Sequence, residues 1–346
     1  MKNENISVVV VDDAAFMRKA VTEILESDPH IRVVDTARNG LEGLEKIKAL
    51  CPDVITLDID MPVMDGLTAI RHLMIESQVP IVVLSSLFSD GAITFDALRL
   101  GVVDFVPKPS GAVSKNISNA RQQLIDRIKI ARSVNLDNIR RVRIPRWDAK
   151  EQLNERYGFR PLDYLLAVGT TLSGPNTVIR LLTRLSPTLP ASVVVVQEIS
   201  PKIIDAFIKK FDENVPWRVE KARDGETLEQ GTCYICSNEM SLWVETNGDN
   251  HPRLRVGERV DQPLSLLFSS AAAVFRQHAI GLLLTGLGDD GADGLARIRA
   301  ESGATIAQDS NCCVYPNLTD HAIERGTVDF VTDENSMVDK IAEIMG

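Results

Sequence analysis

Four apolar runs in the first 110 residues each end on a side chain able to handle a phosphoryl group. SVVVVD ends on Asp12, with Asp13 next; DVITLDI carries Asp58, and Asp60 follows two residues on; PIVVLSS ends on Ser85 and Ser86; VDFVPK ends on Lys108. In open parallel sheets, ligands bind beyond the carboxyl ends of the strands, so these ends predict one crevice. Three carboxylates brought together there repel one another unless a cation neutralises them. Hard oxygen ligands suit Mg²⁺, and a lysine with a hydroxyl opposite would hold phosphoryl oxygens.

A second stretch, GTTLSGP at 169–175, follows the apolar run YLLAV. It places two threonines and a serine, Thr170, Thr171 and Ser173, at a predicted strand-to-helix turn, where an exposed hydroxyl could be a nucleophile. A hydroxyl stays a weak nucleophile until a base takes its proton. The five histidines are His30, His72, His251, His278 and His321; only His321, opening a helix near VYPNL, is a candidate surrogate base. Ser173 is expected to offer its hydroxyl to an unpaired N–H at the helix start rather than to act as a displaced nucleophile. GLGDDG at 286–291 fits the spacing of a dinucleotide loop, but Asp289 and Asp290 would repel a pyrophosphate. CYIC, Cys233 to Cys236, has no second pair at zinc distance and reads as strand filling.

These residues need a scaffold. The first 130 residues alternate apolar runs with amphipathic stretches such as AAFMRKAVTEILES and GLTAIRHLMIES, a doubly wound α/β pattern. The alternation resumes at 161, and GTCYIC, SLWVET and RLRVGE suggest a β-meander inserted into a second α/β domain. The expected boundaries are 1–130, a basic linker at 131–160, and 161–346. The net charge of −10 is that of two acidic domains flanking the linker; nucleic-acid binding would need a larger basic face. No run approaches the ~20 apolar residues of a membrane span. The start is too short and acidic for a signal peptide. Five cysteines argue against a disulfide scaffold. The chain is therefore expected in the cytoplasm, without membrane insertion or nucleic-acid partner.

The first set of strand ends resembles the receiver domain of two-component response regulators, a flavodoxin-like fold, over residues 6–130. The resemblance implies that Asp58 is the phosphoacceptor. Mg²⁺ would be held by Asp13 and Asp58 with Asp12 and the backbone at Asp60. Ser85 would bond a phosphoryl oxygen, Lys108 would pair with it, and Phe105 would be the aromatic switch. The second domain resembles the chemotaxis protein-glutamate methylesterase, so the whole is similar to CheB-type regulators. AVGTTLSGP, VVVVQE, LLTGLGDDGADGL and ATIAQDS…VYP carry this likeness.

That family's Ser, His and Asp triad falls on Thr171, Glu198 and Asp290. Leu172 and Ser173 replace its next Thr and Gly, Leu287 replaces a Met, and a Gly-Met-Pro is absent. A glutamate has a reference pKa of about 4.3 and accepts a proton poorly at pH 7. Facing Asp290, it would meet a second negative charge. Losing the base of such a triad costs on the order of 10⁶ in kcat. The expectation is a regulator phosphorylated on Asp58 by a chemotaxis-type histidine kinase, whose output domain lacks normal ester hydrolysis and acts by binding chemoreceptors or another signalling protein. The alternative is an active methylesterase or deamidase using Thr171 with Glu198 or His321.

Overall fold

The computed structural model describes residues 5–85, 91–108, 115–138 and 162–346. The chain divides into two compact units, Met1–Arg141 and Val142–Gly346. Most of the basic linker lies outside the described residues.

In the first unit, valine-rich runs too apolar for a half-exposed sheet form strands covered on both faces. Five parallel strands stand in the order β2-β1-β3-β4-β5: β1 (Ile6–Val11), β2 (Ile31–Ala37), β3 (Val54–Asp58), β4 (Ile81–Ser85) and β5 (Asp104–Pro107). This is the flavodoxin-like order, with its switch point between β1 and β3. Helices α1 (Ala15–Glu26), α2 (Gly40–Leu50), α3 (Gly66–Glu76), α4 (Gly91–Leu100) and α5 (Lys115–Ser133) alternate with the strands. Thus α5 continues three residues beyond the expected domain end at 130. Asp65 starts α3 by accepting from the Thr68 amide at 2.8 Å. Gly66 is required by close approach: a Cβ there would lie 2.3 Å from the Asp58 carbonyl oxygen.

The second unit has a seven-stranded sheet, order β14-β13-β12-β6-β7-β9-β8, in which every pairing is parallel. Its strands are β6 (Tyr164–Gly169), β7 (Ala191–Gln197), β8 (Arg218–Lys221), β9 (Thr232–Ser237), β12 (Ala279–Leu283), β13 (Ala304–Gln308) and β14 (Phe330–Thr332). The helices are α6 (Gly174–Arg184), α7 (Ile204–Asp212), α8 (Pro263–Phe275), α9 (Ala292–Ala300), α10 (Asn317–Glu324) and α11 (Glu334–Met345). The strand order reverses at β6, which is flanked by β7 and β12, and this puts the crevice at the carboxyl end of β6.

The expected β-meander is corrected. Only β10 (Ser241–Thr246) and β11 (Pro252–Gly257) form an antiparallel hairpin. CYIC lies in β9, parallel to β7 and β8. Every residue of β9 is buried, which fits an interior strand and not one with a solvated face. Leu242, Val244 and Leu254 of the hairpin are buried and join Leu264, Phe268 and Leu295 in one core.

Candidate functional site

Two sites stand at strand ends, one in each unit. In the first, β1 delivers Asp12 and Asp13, and β3 delivers Asp58. Asp12 is fully buried, Asp58 nearly so and Asp13 exposed; their oxygens lie within 4.8 Å of one another. Lys108, just past β5, places Nζ 2.6 Å from Asp12 Oδ2 and 2.7 Å from Asp58 Oδ2. The other oxygen of each carboxylate takes a backbone amide: Ala14 N–H donates to Asp12 at 2.9 Å and Ile59 N–H to Asp58 at 2.8 Å.

Burial pushes the Asp58 pKa up; the Lys108 ammonium opposes this and the Asp12 charge adds to it. Burial works against the charge of Lys108, yet the hydrogen bonds and charges of Asp12 and Asp58 outweigh it and raise its pKa. A clustered set of hard oxygens with an excess of negative charge is a fitting donor set for Mg²⁺.

Phe105 is half-buried on β5, while the Asp60 side chain is exposed and outside the three-carboxylate group. Ser85 ends β4, its backbone beside Pro107; its side chain and Ser86 lie outside the described residues. Sequence reading missed Arg18, whose Nη1 donates to the carbonyl oxygens of Asp12 and Asp13 at 2.8 and 2.9 Å. An arginine in the first turns of a helix opposes the helix dipole. That mismatch was the available signal that it answers to a local partner.

In the second site, β6 ends in the bend holding Thr170 and Thr171. Thr170 Oγ1 donates to the Thr285 carbonyl at 2.6 Å. Thr171 Oγ1 accepts from Leu287 N–H at 2.6 Å and donates to Leu287 O at 3.0 Å. Gly286 leaves room for this: a Cβ there would fall 2.4 Å from Thr171 Oγ1. The strained backbone of the bend lies at Ser173, with φ +58° and ψ 4°. That left-handed conformation disfavours a side chain. Ser173 makes no side-chain cap bond to α6, which corrects the capping expected of it.

Asp290 also does something unforeseen. Its Oδ2 accepts from Leu264 N–H at 2.7 Å, and its Oδ1 from Ser265 N–H at 2.9 Å and Gly291 N–H at 2.6 Å. Gln262, the residue before α8, makes no side-chain cap bond. Asp290 therefore caps α8 from a distant loop, and Ser265 Oγ returns the favour by accepting from Gly291 N–H at 3.0 Å. Both Asp290 oxygens thus accept backbone amide hydrogens. Glu198 is half-buried one residue beyond β7. Neither hydroxyl bond of Thr171 goes to Glu198 or to His321, which sits half-buried in α10.

Among the described residues the only metal-competent group of His, Cys, Asp and Glu is the Asp12–Asp13–Asp58 cluster. Cys233 and Cys236 are buried and free, and burial raises the Cys236 thiol to about 11.

Residues 166–341 match the CheB methylesterase family and residues 8–116 the response regulator receiver domain. A protein-glutamate methylesterase/protein-glutamine glutaminase 2 of Carboxydothermus hydrogenoformans is 37% identical over 355 aligned residues, covering 98% of this chain and 99% of its own. The chain belongs to the CheB methylesterase family. A protein-glutamate methylesterase/protein-glutamine glutaminase of Symbiobacterium thermophilum is also 37% identical, covering 99% of this chain and 97% of its own. The response regulator domain of Thermotoga maritima CheB is 42% identical, with 38% of this chain and 99% of that one covered and a TM-score of 0.35. The two CheB-type domains lie in the expected order, receiver first. No helix among the described residues is long and apolar enough to cross a membrane.

Proposed function

We propose that this chain is a phosphorylation-controlled regulator that acts on glutamyl side chains of chemoreceptors, as a protein-glutamate methylesterase or deamidase with an altered site. Asp58 takes a phosphoryl group from a chemotaxis-type histidine kinase, and the phosphorylated receiver controls the second domain. The observation that carries the reading is Lys108 Nζ, 2.7 Å from the Asp58 oxygen at the end of β3. A half-buried lysine held between two carboxylates is poised to exchange one of them for a phosphoryl oxygen.

In this mechanism an Asp58 oxygen attacks phosphorus, an acyl phosphate forms and the P–N bond to the donor imidazole breaks. Asp12, Asp13 and Asp58, with the Asp60 backbone, would hold Mg²⁺, which would screen the charge of the phosphoryl oxygens. Lys108 holds one oxygen and the Ser85 hydroxyl another, while Phe105 follows the change on β5. Such a kinase places the chain in the cytoplasm.

Ester or amide hydrolysis is supported by the full-length likeness to relatives bearing that name. The comparisons do not support the loss of hydrolysis expected from the changed triad. One observation keeps a binding-only output as a second reading: the Thr171 hydroxyl donates to the Leu287 carbonyl and not to a base.

The test uses the full chain, methylated receptor, acetyl phosphate and Mg²⁺. Phosphoryl label on the chain that Asp58→Asn removes, and methanol release that Thr171→Ala removes, are the expected results. Label surviving in Asp58→Asn sinks the phosphoacceptor assignment. Absence of methanol release from methylated receptor together with absence of ammonia release from receptor glutamines sinks hydrolysis and leaves the binding-only output.

A further inference from the structure

Gln308 is the last residue of β13, fully buried, and all its bonds are made inside the second unit. Its Oε1 accepts from Thr285 N–H at 2.9 Å. Its Nε2 donates to the Cys312 carbonyl at 2.9 Å and to Glu334 Oε1 at 3.2 Å. Thr285 lies two residues beyond β12, where no ladder partner remains for its amide. It is wholly buried, so without Gln308 that N–H would stay unpaired in the interior, a costly state.

The Thr285 peptide carries the bend. Its carbonyl accepts from Thr170 Oγ1 at 2.6 Å and from Thr171 N–H at 3.5 Å. Two residues on, Leu287 holds the Thr171 hydroxyl. The far side of Gln308 is anchored as well. Glu334, the first residue of α11, accepts from Arg180 Nε at 3.0 Å. The Arg180 side chain is 10% exposed and projects from α6, the helix that leaves the bend. Both exits of the Thr171 turn, the Thr285 peptide and α6, are thus fixed to one amide.

We propose that Gln308 is a positioning residue for the Thr171 hydroxyl, acting through the Thr285 peptide, with Glu334 and Arg180 fixing its rotamer. The inference deepens the site of the proposed hydrolysis and rests on that site's geometry.

Amide hydrogen exchange in the full chain tests it, because it reads the site whether or not hydrolysis occurs. In Gln308→Leu, exchange at Thr285 and Leu287 should rise at least ~10-fold over the rise at other core amides of the second unit. Phe211→Leu in α7, a core change without this network, should raise exchange without singling out those two. Gln308→Glu separates geometry from mere packing. As a carboxylate beside Glu334 it cannot donate; once protonated it regains an acceptor and one donor. Burial raises such a pKa, so protection of Leu287 should return as pH falls from about 8 to 5. Wild-type protection of Leu287 in Gln308→Leu, an equal selective loss in Phe211→Leu, or no recovery on acidifying Gln308→Glu would each overturn the proposal. A wild-type chain that releases neither methanol nor ammonia from receptor would refute the hydrolysis reading alone and leave these readouts intact.

Discussion

The hydroxyl of Thr171 is closed on Leu287: it accepts from the Leu287 amide at 2.6 Å and donates to the Leu287 carbonyl at 3.0 Å. A proton shared with a backbone carbonyl is not on its way to a base. Restoring a base should therefore change the rate. Glu198→His combined with Thr171→Ser is expected to raise methanol release from methylated receptor by ~10² or more, within the usual contribution of general-base catalysis. A double variant no faster than the parent chain would refute a missing imidazole as the limit.

Asp58 has its pKa raised, with burial as the main cause. The sign follows from linkage: a folded-state pKa above the unfolded one means the native state favours the protonated form, so that contribution to stability is lost as pH rises through the folded value. Asp58→Asn should therefore stabilise the receiver against urea at pH 7, and the advantage should shrink as pH falls toward 4. Mg²⁺ should stabilise the wild-type receiver more than the Asn variant. An Asn variant less stable at pH 7 than at pH 4, relative to wild type, would contradict the sign.

Asp290 holds the start of α8 through the Leu264 and Ser265 amides. Removing a helix cap costs ~1–2 kcal/mol. Asp290→Ala should lower the stability of the second unit by about that amount in chemical denaturation. Wild-type stability in this variant would mean the carboxylate is not the cap of α8.

Ser173 occupies φ +58° without capping α6. Left-handed backbone costs a non-glycine residue roughly 1–2 kcal/mol. Ser173→Gly should therefore raise the thermal midpoint of the second unit. A lower midpoint would show that the serine side chain repays its strain through contacts.

Gln197 is fully buried, and neither polar atom of its side chain has a hydrogen-bond partner among the described residues. Replacing an unpaired buried amide by an apolar side chain of similar length removes a desolvation penalty of about 1–3 kcal/mol. Gln197→Met is expected to stabilise the second unit, as read from its denaturation midpoint. Destabilisation would demonstrate a partner for the amide.

The receiver crevice was legible in the sequence because a parallel sheet has one direction. Residues at the ends of successive buried strands must gather at one edge, so SVVVVD, DVITLDI and VDFVPK imply that Asp12, Asp58 and Lys108 stand together. Arg18 escaped that logic because its partners are backbone carbonyls, which carry no residue-type signal. The β10–β11 hairpin was legible as strand, but the place of CYIC was not. Short apolar runs look alike in either setting, and only burial on both faces put β9 in the main sheet.

The alphabet alone determined the alternation of strand and helix, the carboxylates and lysine at the strand ends of the first unit, and the residue types Thr171, Glu198 and Asp290 in the second. Folding decided where the side chains of Thr171 and Asp290 turn. Asp290 turned to α8 because its loop passes an uncapped helix start, and Thr171 turned to Leu287 because Gly286 leaves the space. Such choices depend on which backbone groups lie nearby and unpaired. Neighbours separated by 26 and 116 positions along the chain become neighbours only in the folded protein.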